Sequence, residues 1–123
     1  MPALTDLSVR AEFLSDSDLL LFADQFCLAI AAGSDDLTPG LERDELLLKL
    51  SQAREILSQL QEIFNTNRLE LRTPRTASLL HALLCSLHWC AFYSRSVIDR
   101  STFRRLMMVQ AGFAGLVMSA LRE

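Results

Sequence analysis

Apolar residues recur along this chain at helical spacing, and no run alternates in the period-two manner of a strand. The clearest series is Leu46, Leu50, Ala53, Leu57, Leu60 and Phe64, with steps of 4, 3, 4, 3 and 4. That rhythm draws one stripe down an α-helix and makes a seam of the antiparallel coiled-coil kind. Arg43, Asp44, Ser51, Arg54, Glu55, Ser58 and Glu62 fall on the other, solvated face. The pattern predicts a helix over about 39–65, entered at Thr38-Pro39 with proline in its first position.

An earlier helix is expected from Ser15 or Ser17 to Ala32, with Gly33 as its C-terminal stop. Asp16 and Asp18 sit in its first turn, where carboxylates complement the helix dipole. Leu19, Phe22, Phe26 and Ile30 share one face, and Leu20, Cys27 and Ala31 another. Only Asp24 and Gln25 interrupt its interior, so this helix should be buried on most sides. Residues 1–14 read as an arm or short helix ahead of a single helical domain at 15–123. GSDDLTPG at 33–40 is a loop, and NTNRLELRT at 65–73 a connector. Thr73-Pro74 repeats the Thr38-Pro39 entry, but the residues that follow do not match, so the chain is not a repeat array. A third helix is expected over about 74–98. A break near Asp99–Ser101, capped by one of those two residues, would start a fourth over about 102–122. A single bent helix through that point is the alternative.

The stretch LLHALLCSLHWCAFYSR at 79–95 holds both histidines, two of three cysteines and the only Trp and Tyr. On a helix, His81, Cys85, His88 and Phe92 share one line at spacings of 4, 3 and 4. Cysteine and histidine are zinc ligands, yet three on one helix seldom close around one ion without a ligand from another element. A Cys85–histidine pair has the residue types of a thiolate nucleophile and its base. The middle of an apolar helix is the wrong place for it, since reactive thiols sit where their pKa is lowered. Leu79, Leu83, Cys90 and Val97 make one apolar stripe, and Leu80, Leu84, Leu87, Ala91 and Ile98 a second. A helix apolar on nearly every side should be buried on nearly every side, between its own bundle and a second chain. His88, Trp89, Phe92 and Tyr93 are the types that serve such a contact.

The last helix extends the same reading. Phe103, Leu106, Met107, Val109, Phe113, Val117, Met118 and Leu121 form a broad apolar face. Gly112, Gly115 and Ser119 lie elsewhere, beside Met108, on a small face suited to close packing. Met107 and Met108 add adaptable surface. Arg100 and Arg104, next to Arg105, are placed to rim a contact.

Composition sharpens this picture. The chain has 123 residues, one domain's worth, with 50% hydrophobic and 22% charged residues, which excludes global disorder. Such an apolar content in a small domain leaves surface for a partner. Net charge is −3, split into twelve acids and four bases over residues 1–64 and three acids and eight bases, all Arg, over 65–123. The halves can complement each other, or the arginines can face an acidic partner. A pI near 5.3 speaks against nucleic acid. Three cysteines without a CxxC pair, no signal-like start and no apolar run of about 20 residues suggest a reducing, cytoplasmic setting with no membrane association. There is no phosphate loop, HExxH or GxSxG motif, and so no enzyme or cofactor signature.

The size, the all-α character and the Trp- and Tyr-bearing helix at 79–98 resemble the small helical bacterial antiactivators of LuxR-type quorum-sensing regulators. The resemblance implies a dimer that occludes a transcriptional regulator's own dimerisation surface. The expectation is therefore an all-α antiparallel bundle of about four helices, homodimeric and non-enzymatic, that sequesters a protein partner through His88, Trp89, Phe92, Tyr93, Arg100, Arg104, Met107 and Met108. Two other uses fit the same residues. One is a chaperone or subunit of a bacterial assembly. The other is a metal- or ligand-binding bundle using His81, Cys85 and His88.

Overall fold

The computed structural model describes residues 15–122, and the arm or short helix expected of residues 1–14 lies outside them. Four α-helices follow one another: α1 Asp16–Ser34, α2 Leu41–Thr66, α3 Pro74–Ser94 and α4 Arg100–Arg122. A 3-10 turn, Arg68–Arg72, stands between α2 and α3. Short links make successive helices antiparallel neighbours. α2 packs on α1 and α3, and α4 on α3 and α1, while α1 and α3 barely meet across the diagonal. The result is the expected all-α antiparallel four-helix bundle, with no strand among the described residues.

The α2 seam is buried as the spacing requires: Leu46, Leu50, Ala53, Leu57 and Leu60 lie in the core and Phe64 at its margin. Ile30, Leu80, Leu83, Leu87, Leu106, Val109 and Phe113 meet it from the other three helices. At α1 the Ser15 hydroxyl accepts the Asp18 N–H at 3.1 Å, closing the N-terminus. At α4 the Asp99 carboxylate accepts the Thr102 N–H at 2.6 Å, so Asp99 is the cap and α3 and α4 are separate helices.

Several boundaries differ from the sequence reading, each for a local reason. Gly33 does not stop α1 in a left-handed turn; no glycine has that conformation and the helix runs on to Ser34. A Cβ at Gly33 would stand 3.3 Å from both the Val97 side chain and the Val97 carbonyl, so its smallness serves close approach. α3 ends at Ser94, whose hydroxyl donates to the Cys90 carbonyl at 2.6 Å. The chain then bends so that Val97 and Ile98 cover the end of α1. Pro39 lies outside α2, which starts at Leu41 after Gly40, whereas Pro74 does open α3. The 65–73 connector is part of the core: Leu71 is fully buried, and the Thr76 hydroxyl is placed to donate to the Leu71 and Thr73 carbonyls.

α1 is not enclosed on most sides. Leu21 and Leu28 face outward, because a helix at the corner of a square bundle meets only two neighbours closely. By length and composition alone α1 would suffice to cross a membrane, a property that the count of unbroken apolar residues missed. In the bundle its Leu19, Phe22, Phe26 and Ile30 are core residues.

Candidate functional site

α3 likewise buries one side only. Leu80, Leu83, Leu87, Cys90 and Ala91 form its inner face. His81, Cys85, His88, Trp89 and Phe92 point the other way and are exposed. The line that angle counting picks out is thus the outer line of the helix, the side that the bundle itself leaves open. Trp89 is 42% and Phe92 44% exposed. Trp89 meets Phe92 edge-on at 6.0 Å and stacks on Tyr93 at 5.8 Å. Phe92 and Tyr93 are 5.3 Å apart, and His88 sits edge-on to Trp89 at 5.8 Å. The Arg95 guanidinium lies over Phe92, 4.2 Å from the ring centre, and donates to the Phe92 carbonyl. Four rings and one cation therefore hold each other in place before anything binds. The exposed part of each large ring is about 100 Å², worth about 2 kcal/mol when covered.

The histidines and cysteines do not converge. Cys85 Sγ is 3.8 Å from His81 Nε2, while His88 turns to Trp89. Among the described residues no three of His, Cys, Asp and Glu stand close enough to share an ion. Grooves of about 500 Å³, between α2 and α3 at Gln59, Ile63 and Arg75, and about 240 Å³, between α1 and α2 at Leu21 and Phe64, lie elsewhere. Cys27 and Cys90 are core thiols. Burial pushes Cys27 up to about 11, with the Asp24 charge adding to it, and Cys90 up to about 12. Both stay neutral thiols at physiological pH.

α4 supplies the other half of the outer surface. Gly112 packs on Leu19, which fixes the flank of α4 that faces α1. Phe103, Met107, Ala114 and Leu121 fall about half a turn away, on the flank toward α3. The outermost line of α4 runs through Arg104, Ala111, Gly115, Met118 and Arg122, of which all five are exposed. His88, Trp89, Phe92, Arg100, Arg104 and Met107 thus share one outer α3–α4 surface. Tyr93 lies at its α2 margin, and Met108 at the α1 margin beside Gly112. The sequence reading put Met118 and Leu121 on one apolar face with Leu106 and Phe113, but these two are 54% and 66% exposed while Leu106 and Phe113 are buried. Met118 stands about 140° from the line Leu106–Phe113–Ala120, and that angle was the available signal. Arg95, three residues after Phe92, was missed as well.

Charge on this surface has one sign. Within α3 and α4 every charged residue described is an arginine, and the lone acid between them, Asp99, is engaged as a helix cap. The Thr102 N–H holds its carboxyl below the usual value. Asp16 and Arg72, 2.7 Å apart, form an ion pair between the acidic and basic halves of the chain, and Arg72 also reaches the Ser119 hydroxyl. Arg43 and Asp35, at 3.8 Å, pair within the acidic half. Arg95, Arg100 and Arg104 are exposed at the aromatic end of the surface. No family model, curated protein or solved structure matches this chain.

Proposed function

We propose that this chain is a non-enzymatic interaction module that holds a partner protein on its outer α3–α4 surface and thereby sequesters it. The carrying observation is the exposed, pre-ordered cluster of His88, Trp89, Phe92 and Tyr93 under Arg95. Interface energy concentrates in such aromatic and arginine anchors. Met118 and Leu121 extend the apolar surface along α4. The His81–Cys85 contact lies on an open flank in the middle of α3. A transcriptional regulator's dimerisation surface is the occupant that the resemblance to antiactivators implies, and covering it would silence that regulator.

The double variant Trp89→Ala with Phe92→Ala tests the reading. Both side chains are nearly half exposed, so the fold should survive their loss. Partner recovery from the native host by tagged wild-type protein should fall to background with the variant. A variant that unfolds, or that recovers the same partners as wild type, would sink the proposal.

A further inference from the structure

Resting on that reading, we infer that the occupant of the α3–α4 surface is an acidic amphipathic helix from another protein. The shape comes first. The outer line of α4 is large at its ends, Arg104 and Met118, and small between, at Ala111 and Gly115. Trp89 and Phe92 stand beside it on α3. From Phe103, near the start of α4, to Met118 is 15 residues of helix, about 22 Å. That saddle takes about four turns of a second helix with apolar residues at successive turns.

Gly115 is the second argument. Gly112 has a reason within the chain, since a Cβ there would stand 2.5 Å from Leu19 Cδ2. A Cβ at Gly115 meets nothing within 4 Å. A mid-helix glycine costs about 1 kcal/mol relative to alanine, and no neighbour among the described residues requires one at 115. A helix backbone laid over that point does.

Charge selects the occupant. Apart from the capping Asp99 no acid is described on α3 or α4, so a two-fold pairing of this face with its own copy brings no free carboxylate to meet its arginines. Guanidinium forks at Arg95, Arg100 and Arg104 instead match Asp and Glu on the flanks of a bound helix. An anionic membrane answers the charge but not the saddle. The aromatic rings are half sunk rather than raised, and the low centre at Gly115 fits a cylinder better than a plane.

Trp89 is the only tryptophan, so its fluorescence reports on this surface alone. The probe is a synthetic amphipathic peptide of about 18 residues, five turns, with leucines on one face and glutamates on both flanks. A twin carries lysine for every glutamate. The acidic peptide should shift Trp89 emission to the blue with saturation, at least about tenfold more tightly than its twin, and weaken as salt rises toward about 1 M. Gly115→Leu should abolish the shift without lowering the thermal unfolding temperature. Equal response to both peptides, no response to either, or undiminished binding by Gly115→Leu overturns the inference. A Trp89 shift that grows with protein concentration alone assigns the surface to a second copy. A stronger shift with phosphatidylserine vesicles than with the acidic peptide assigns it to a membrane. If neither peptide acts while wild type still recovers a partner that Trp89→Ala with Phe92→Ala loses, the acidic helix falls and the interaction reading stands.

Discussion

Replacing each of the two α4 glycines by alanine should move stability in opposite directions. The gain in helix propensity is the same for both, about 0.8–1 kcal/mol. At Gly115 nothing among the described residues opposes it, because the new methyl meets none of them within 4 Å. Gly115→Ala should therefore raise the unfolding free energy by about 1 kcal/mol, or Tm by about 3–5 °C for a chain of this size. At Gly112 the methyl would lie 2.5 Å from Leu19 Cδ2 and 3.3 Å from its Cδ1. Leu19 must retreat by about 1 Å to reach ordinary contact, and at 2% exposure it has no free volume to enter. Overpacking of this kind costs about 1–3 kcal/mol, so Gly112→Ala should be neutral to destabilising by about 2 kcal/mol. Urea unfolding followed by circular dichroism measures both. A second background isolates the cause. Leu19→Ala alone should lose about 2–5 kcal/mol as a core truncation, and within it Gly112→Ala should become favourable. The coupling between the two sites should reach about 1–3 kcal/mol. Equal stabilisation by both glycine replacements, or a Gly112→Ala effect indifferent to Leu19, would show that α1 and α4 do not meet at Gly112.

Three further expectations test other features. A thiol reagent at neutral pH should label one cysteine per native chain and all three after denaturation, because Cys85 is exposed and Cys27 and Cys90 are buried with raised pKa values; Cys85→Ser should remove the native signal. Asp99 is held below its usual 3.8 by the Thr102 N–H, so its capping stabilises fully above that value and is lost as pH falls through the folded-state value. The Tm difference between wild type and Asp99→Ala should accordingly be present at pH 6 and shrink below pH 3.8, and a difference that grows with acid would refute the capping role. Gln110 is buried with its Nε2 unpaired, so Gln110→Leu should stabilise by about 1 kcal/mol in the same urea assay, and a loss would mean that the amide is satisfied after all.

Elements whose signals are local were legible in the sequence. The α2 seam needs only period and side-chain type, and every one of its leucines is buried. Ser15 and Asp99 needed only a short polar side chain ahead of a periodic run. The failures depend on contacts far apart in the chain. Gly33 has the residue type of a helix stop, but its role is set by Val97, 64 positions on. Leu71 sits among turn formers, and its burial follows from α2 and α3 closing over it. Gly112 and Gly115 look alike in sequence and differ only because Leu19 arrives at one of them.

The aromatic surface shows the same division more sharply. Counting angles places His81, Cys85, His88 and Phe92 on one line of α3, but a line has no inside or outside until neighbours are assigned. Two histidines, a cysteine and a phenylalanine do not by themselves choose between the two. The bundle decides, because a corner helix buries little more than half its circumference and Leu80, Leu83 and Leu87 already fill that share. On α3 the chain turns Leu80, Leu83 and Leu87 inward and leaves His81, Cys85, His88, Trp89 and Phe92 outside, three of which combine apolar area with a polar edge. This leaves α3 a fully packed inner face together with an outer face that water solvates poorly. The first accounts for the fold. The second has no use among the described residues, and the proposed partner would give the surface rimmed by Arg95, Arg100 and Arg104 its role.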